Sequence, residues 1–320
     1  MMKRLLLLMI AITVGSVGHA GAQTEPPQAW TAPALEVVSF FEGASWNTVT
    51  EDFDCNGASV GTLQWNVRSG NLRRLLSGFS ADTIAHFMPT YGQELLNRVN
   101  ISPKAGVAYV RKFQTFKNPG VCKNANARGA KWMATKEAKT FVGELSSLLS
   151  SEEGRKIQLQ LAAESAREAW RLATEWSIAT RGNTSATYTE FLFFYDTINF
   201  SGTKWELSVR YQEVAKLKLQ GDQVAYDEAT HYLATERSFT YLQTKAADKD
   251  AALWKNKNWT QEQLNLFLHA YLLAKWITKP SAIQFRLNVI SRRGVIVFKD
   301  GVINKWPIPA SILKDLETPP

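Results

Sequence analysis

Cysteine and histidine are scarce in this chain, which has two cysteines and four histidines among 320 residues. His86, His231 and His269 are scattered, and neither an H-E-x-x-H motif nor a Cys/His cluster occurs. A structural or catalytic zinc site is therefore not indicated. We expect no metal and no organic cofactor.

Long hydrophobic runs are absent after the N-terminus, since no later stretch approaches the ~20 apolar residues of a membrane-spanning helix. The run at residues 5–14 rises only about 15 Å as a helix, which is too short to cross a bilayer. Lys3 and Arg4 precede it, and the small residues AGA follow at positions 20–22. This pattern predicts a cleavable secretory signal over residues 1–22 and a secreted or periplasmic protein without stable membrane insertion. An uncleaved N-terminal anchor is the alternative.

The two cysteines, Cys55 and Cys122, are best interpreted as one disulfide if the protein is exported to an oxidising compartment. The bond would close a loop of roughly 67 residues and stabilise the fold by about 4 kcal/mol in the chain-entropy model. Two free buried thiols are the alternative.

Runs of lysine and arginine are also lacking, so a nucleic-acid partner is not indicated. The formal net charge is nevertheless +8, and about +6 without Lys3 and Arg4 of the leader. A basic exported protein suits an anionic polymer better than a cationic one. Eleven tryptophans are present, which could pack in a core or stack on sugar rings.

The pattern of apolar residues predicts one mainly α domain over residues 34–320, after a proline-containing linker at 23–33. The first helix should end at Glu42, before Gly43. Residues 48–67 are polar, interrupted by glycines and rich in β-prone types, which predicts a small hairpin or loop.

Capping boxes mark two further helices, one from Ser150 with Glu153 and one from Thr260 with Gln263. The helix after Ser150 should bury one stripe of residues, namely Leu159, Ala162, Ala166, Ala169, Ala173 and Trp176. An Asp-Gly turn at Asp300 predicts a short C-terminal hairpin in which residues 295–298 form one strand.

A pair of acids carries the chemical hypothesis. Glu42 ends an apolar helix, and Asp54 follows twelve residues later in a polar loop. Glycosidic cleavage needs one carboxyl that stays protonated and one that stays ionised. The apolar side chains of Val38, Phe40 and Phe41 could surround Glu42 and keep it protonated.

The segment resembles the active-site region of the lysozyme superfamily, in particular bacterial chitosanases and phage-type lysozymes. The likeness lies in Glu42 at a helix end followed by the pattern Asp54-x-x-Gly57-x-Ser59-x-Gly61. It implies a lysozyme-like helical bundle with a β-hairpin beside the active site. It further implies that Glu42 is the general acid, that Asp54 is the general base and that Ser59 positions the attacking water. The substrate contacts that it implies are Gln64, Trp65, Trp46 and Asn56.

The same segment has competing interpretations. Glu51 and Asp52 compete with Asp54 for the role of base, and serine stands where the family more often has threonine. Residues 57–61 match the G-x-S-x-G nucleophile motif, with His231 or His269 as base and Asp196 orienting it, but the strand–helix context of that motif is missing. The loop from Asp52 begins like a calcium loop but lacks the glutamate at position twelve.

The sequence therefore predicts an exported glycoside hydrolase that cleaves β-1,4 bonds of an amino-sugar polymer. Peptidoglycan is favoured over chitosan because peptidoglycan is anionic and the chain is basic. A chitosanase on the same scaffold, or a wall-glycan-binding protein without catalysis, is the alternative.

Overall fold

Helices make up most of the computed structural model, which confirms the prediction of a mainly α protein with small β elements. The structure describes residues 25–51, 57–115, 131–201, 207–237, 241–278, 283–303 and 306–317. The predicted signal at residues 1–22 lies outside these ranges. The helices are α1 (Gln28–Glu42), α2 (Asn71–Leu76), α3 (Ala81–Phe87), α4 (Gly92–Ile101), α5 (Pro103–Val110), α6 (Lys136–Ser150), α7 (Glu152–Arg181), α8 (Tyr188–Ser201), α9 (Leu207–Lys218), α10 (Asp222–Thr235), α11 (Tyr241–Trp254), α12 (Gln261–Lys275), α13 (Arg286–Phe298) and α14 (Ala310–Leu316).

Short antiparallel strands form three small sheets in the described chain. Two of them are hairpins, one of β4 (Gln114–Thr115) with β5 (Lys131–Trp132) and one of β6 (Val302–Ile303) with β7 (Trp306–Pro307). The third has three strands, β1 (Val49–Thr50), β2 (Ser59–Val60) and β3 (Trp65–Asn66), in which Ser59 pairs with both Thr50 and Asn66. This sheet confirms the β element predicted for residues 48–67.

Helix α1 ends at Glu42, as predicted. Gly43 takes the left-handed conformation, with φ of 61°, and its N–H donates to Phe40 O at 3.0 Å. This is the usual glycine-terminated helix end. The linker predicted for residues 23–33 is wrong over its second half, because α1 already begins at Gln28 and holds Pro33. Pro33 lies inside the helix, beyond its first turn, and its missing N–H leaves the carbonyl of Ala29 without a helical donor.

The 30-residue helix α7 runs through the core. The predicted stripe is buried from Ala162 to Trp176, whereas Leu159 is 48% exposed. Small alanines on this stripe let α8 approach closely, and Tyr195 of α8 donates to the backbone oxygen of Ala162 at 3.4 Å. The cap of α7 is Ser151 rather than Ser150, since the Ser151 hydroxyl accepts from Gly154 N.

The predicted capping box of Thr260 and Gln263 is confirmed at the start of α12. Every residue of α12 from Leu264 to Ala274 is buried. A helix that is apolar all round is buried on all sides, and α12 packs against α9, α10 and α13.

The C-terminal hairpin exists, but the prediction misplaced it. Residues 295–298 are the last turn of α13, and Lys299 ends that helix with φ of 54°. The hairpin is formed by β6 and β7 instead. A short apolar run does not distinguish a buried helix from a buried strand by periodicity. None of the described helices combines the length and the apolar character needed to cross a membrane.

Gly294 of α13 lets the ring of Trp254 lie directly on the helix backbone. A Cβ at this position would come within 2.4 Å of two Trp254 ring atoms. We expect Gly294→Ala to lower the free energy of unfolding by about 1–3 kcal/mol, because a buried indole must move. Gly143, exposed on α6, gives the matched control, since a Cβ added there would meet no atom within 4 Å. Gly143→Ala should instead raise the free energy of unfolding by about 0.5–1 kcal/mol. If both substitutions change the free energy of unfolding in urea equally, the close packing of Trp254 on α13 does not explain the effect.

Asp250 of α11 is a buried acid whose Oδ1 accepts the Val302 N–H at 2.7 Å, which fastens β6 to α11. Burial raises the pKa of Asp250 to about 8. The folded protein therefore holds this proton more tightly than the unfolded chain does, and the stability that it confers is lost as the pH rises from about 4 to about 8.

We expect Asp250→Asn to remove this loss, because the amide copies the protonated acid and its oxygen still accepts from Val302. The unfolding free energy of the variant minus that of wild type, measured in urea, should increase by up to about 1.4 kcal/mol for each pH unit in that range. Asp248→Asn, at an exposed position of the same helix, should keep the wild-type pH dependence. Parallel profiles for Asp250→Asn and wild type would refute the account.

Candidate active site

Glu42 lies where three helices meet. Its Oε1 accepts a hydrogen bond from Arg292 Nη1 of α13 at 2.8 Å and another from Asn199 Nδ2 of α8 at 3.1 Å. The side chain is 19% exposed, and no described residue donates to Oε2. One carboxylate oxygen is thus fixed by the fold, while the other has no described donor.

Arg292 belongs to a buried ionic cluster, which we call the α8–α13 cluster and which comprises Glu42, Asp196, Thr197, Arg292 and Arg293. Arg292 binds Asp196 Oδ1 through Nε, at 3.1 Å, and through Nη2. Arg293 Nη2 lies 3.4 Å from Asp196 Oδ2, and its Nε donates to Thr197 Oγ1 at 2.9 Å. Two guanidinium groups therefore face two carboxylates, so the cluster is neutral when both acids are ionised.

The two arginines differ in how far nearby carboxylates oppose the effect of burial on their pKa. Burial alone disfavours the cation of Arg292, but Asp196 and Glu42 together raise its pKa above the ordinary value. Burial lowers the pKa of Arg293 to about 10, and Asp196 offsets only part of that effect. Glu42 therefore affects the pKa of Arg292 more than that of Arg293, although Asp196 has the larger effect on both.

The described hydrogen-bond partners of the Glu42 carboxylate are a guanidinium and an amide, which the sequence did not predict. Val38 and Phe41 are buried in the core, and the guanidinium of Arg292 lies 5.3 Å from the Phe41 ring. Phe41 therefore packs on the arginine that holds Glu42. The prediction missed the polar partners because a helix-end residue also meets side chains from distant parts of the chain.

The three-stranded sheet places the other predicted side chains. Thr50 Oγ1 lies 2.9 Å from Ser59 O and 3.0 Å from Gln64 Oε1, and its single proton is donated to one of these oxygens at a time. Gln64 has a left-handed backbone, with φ of 54°, and its buried Nε2 has no hydrogen-bond partner among the described residues. Such a conformation is costly for a residue other than glycine and is concentrated at functional sites.

The two predicted tryptophans differ in exposure. Trp65 is only 8% exposed and is part of the hydrophobic core, and Trp46 is partly buried against that core. Trp65 therefore packs as a core residue and offers little ring surface to a sugar. Trp46 retains some exposed surface.

Asp54, the predicted base, lies outside the described residues, as do Asn56, the competing Asp52, and both cysteines of the predicted disulfide, Cys55 and Cys122. These roles stay predictions. Gly57, the first described residue after this gap, is fixed by Gln114, whose Nε2 donates to Gly57 O at 2.7 Å.

Gln158 of α7 is a site-shaping residue that is not among those predicted from the sequence. It is fully buried, and its Nε2 donates to Trp46 O at 3.0 Å and to Leu149 O at 2.9 Å. Its Oε1 accepts from Thr62 N at 3.1 Å. A Cβ on Gly61 would come within 2.4 Å of that oxygen. The available signal was a polar residue one helical turn before Ala162, on the apolar stripe of α7.

The serine-nucleophile alternative finds no geometric support with His269 as the base. His269 is buried, stacked on Trp176 with ring centroids 4.7 Å apart, and neither ring nitrogen makes a hydrogen bond to the described residues. Burial lowers its pKa well below the ordinary value, so the ring is neutral. Asp196 binds the two arginines rather than a histidine.

Four cavities on the described surface are lined by residues of α2, α7, α10, α11 and the segments that adjoin them, and Glu42 lines none of these four. Within the described ranges, no group of three or more His, Cys, Asp or Glu side chains could hold a metal ion. Comparison of the chain with protein-family models, curated proteins and solved structures found no match.

Gln158→Met should detach the three-stranded sheet from α7 without a large change in side-chain volume. The buried Trp46 O, Leu149 O and Thr62 N–H would lose their partner, and each unsatisfied group costs about 1–3 kcal/mol. We expect a loss of unfolding free energy of at least that size, together with faster hydrogen exchange of the Thr62 amide. Gln160→Met, two residues later and exposed, should change neither the unfolding free energy nor the exchange rate. If both variants behave alike, the hydrogen bonds of Gln158 do not hold the sheet on α7.

Proposed function

We propose that the protein is an exported glycoside hydrolase of lysozyme-like fold that cleaves β-1,4 bonds of an amino-sugar polymer. The observation that carries the proposal is the carboxylate of Glu42, partly exposed at the end of α1 and held through one oxygen by Arg292 and Asn199. A carboxyl group with one oxygen held and the other without a described donor suits proton transfer to a bound substrate.

In the proposed reaction, Glu42 donates a proton to the leaving glycosidic oxygen. The carboxylate that forms is stabilised by the guanidinium of Arg292 and the amide of Asn199. Because these contacts are already present before the reaction, Glu42 must take up its proton from solvent in the substrate complex before it donates that proton. Asp54 would activate the attacking water, with Ser59 positioning it. Carboxyl groups about 6.5–9.5 Å apart would give inversion, and groups near 5 Å would give retention.

The proposed substrate is peptidoglycan, since the chain carries a formal net charge of +8 and peptidoglycan is anionic. Chitosan, a polycation, is the alternative substrate for the same chemistry. A non-catalytic glycan-binding role is a second candidate, favoured by the observation that Glu42 completes a buried ionic cluster and so has a structural role.

Glu42→Gln tests the catalytic assignment. The amide oxygen can still accept from Arg292, but the proton donor is lost and one buried guanidinium loses its counter-charge. The unfolding free energy of the variant is therefore measured beside its turnover, so that a loss of fold is told apart from a loss of chemistry. We expect turnover on purified peptidoglycan or chitosan to fall by about 100-fold or more, measured as new reducing ends. Glu36→Gln, exposed on the same helix, is the matched control and should keep wild-type turnover.

Two outcomes would overturn parts of the proposal. Wild-type turnover in Glu42→Gln would remove Glu42 from the chemistry. If the wild-type protein binds both polymers but releases no reducing ends from either, the non-catalytic role replaces the enzyme.

A further inference from the structure

A cavity lies between α10 and α11, two helices that contribute none of the described hydrogen-bond partners of Glu42. The two helices run antiparallel, because Tyr226 near the start of α10 donates to Trp254 O at the end of α11, at 2.6 Å. Beyond the end of α10, Arg237 lies 3.5 Å from Asp248 of α11. The cavity has a volume of about 660 Å³, which is within the range of small-molecule sites.

Small and polar side chains together line the cavity, and the polar ones include His231. Ala234, Ala251 and Ala252 are part of the lining, with the buried Thr230 beside them. Small side chains leave room for a ligand backbone and for methyl-sized groups, but they leave no deep pocket for a large apolar group. The lining therefore suits a slender, polar ligand.

A second cavity, of about 570 Å³, continues the first. Gln223, Lys255 and Asn256 line both, and Trp259 lines the second. The indole of Trp259 packs on Tyr226 with ring centroids 5.8 Å apart. Because the two cavities share three lining residues, they adjoin, and we call them together the α10–α11 groove.

Charge is distributed unequally along this groove. Asp227 and Asp248 line the first cavity only, whereas Lys257 lines the second only. Asp248 is paired with Arg237 and Lys257 with Asp300. Asp227 and Lys255 have no ionic partner among the described residues, so the groove holds one uncompensated carboxylate and one uncompensated ammonium group.

The amides of the groove add directional hydrogen bonding. Gln223 Nε2 donates to Asp227 Oδ1 at 2.9 Å, which orients that carboxylate. Asn256 lines both cavities next to Lys255. Primary amides carry both donors and acceptors and match the N–H and C=O groups of a peptide.

From these features we propose that the α10–α11 groove binds a short, extended, zwitterionic peptide with small side chains. Asp227 binds its ammonium group, Lys255 binds its carboxylate, and the amides of Gln223 and Asn256 pair with its backbone. A neutral oligosaccharide fits less well, because it would leave both charges unmatched and would meet a single indole or phenyl ring, that of Trp259, among the described lining residues.

The proposal is independent of the chemistry assigned to Glu42. If the protein acts on peptidoglycan, the peptides of that polymer are the source of such a ligand. The test uses binding alone, so its result does not depend on whether the protein is an enzyme.

The probe is trialanine, titrated into the isotope-labelled full chain and followed by NMR chemical shifts. We expect saturable shifts confined to the groove, including the side-chain amide of Asn256 and the indole N–H of Trp259. Trialanine acetylated and amidated at its ends, which carries no charge, should bind about tenfold more weakly or not at all.

Variants at the two charges test the contacts. Asp227→Asn and Lys255→Gln should each weaken trialanine binding by about three- to fivefold, the size expected of exposed charge pairs. Asp227→Asn should have no effect on a probe that lacks only the ammonium group. Glu137→Gln and Lys139→Gln, which make the same changes at exposed positions of α6, should leave binding unchanged.

Equal binding of capped and free trialanine would overturn the proposal, as would shifts outside the groove. Binding of an uncharged chito-oligosaccharide at these residues in preference to trialanine would reassign the groove to glycan.

Discussion

The interaction on which the candidate site depends is the ion pairing of Asp196 with Arg292 and Arg293. These three side chains are almost completely buried, and they join α8 to α13 in the interior. A buried charge that loses its partner costs about 3–5 kcal/mol. The geometry around Asp196 is therefore strongly constrained, and Glu42 binds to the edge of this arrangement.

Glu42 supplies the second carboxylate of the α8–α13 cluster. Its carboxylate balances the second guanidinium, and its location at the helix end leaves part of the side chain exposed. The buried side of the group is set by Arg292 and Asn199, whereas 19% of the side chain is exposed. Gln158 binds the turn that joins β2 to β3 and fixes it to α7. Two separate polar anchors thus hold the described residues that the sequence predicted for the site.

The sequence predicted the local features well. Apolar spacing followed by Gly43 located the end of α1, and the glycine-interrupted polar segment located the three-stranded sheet. Both depend on a few adjacent residues, whose backbone preferences act regardless of the rest of the chain.

Contacts between distant segments could not be predicted in this way. Arg292 and Asp196 are 96 positions apart, as are Gln158 and Thr62. Nothing local distinguishes a buried arginine from a solvated one, because burial is decided by what packs over it. The same limit explains why the last turn of α13 was predicted as a strand and why Glu42 was expected among apolar side chains.

The α10–α11 groove and the Glu42 site differ in how their charged side chains are paired. The groove has charges without ionic partners among the described residues, which suits it to an external ligand. The Glu42 site has charges that are matched within the fold, and a single oxygen without a described donor. If both assignments hold, one chain carries a peptide-binding site and a glycan-cleaving site on different elements.

Hydrolysis by an attacking water is the step that the proposed roles of Glu42 and Asp54 share. It can be tested by mass spectrometry of fragments released from purified peptidoglycan in water labelled with the heavy oxygen isotope. We expect fragments with one labelled oxygen at each new reducing end. Unlabelled anhydro ends, or no fragments from either peptidoglycan or chitosan, would contradict it.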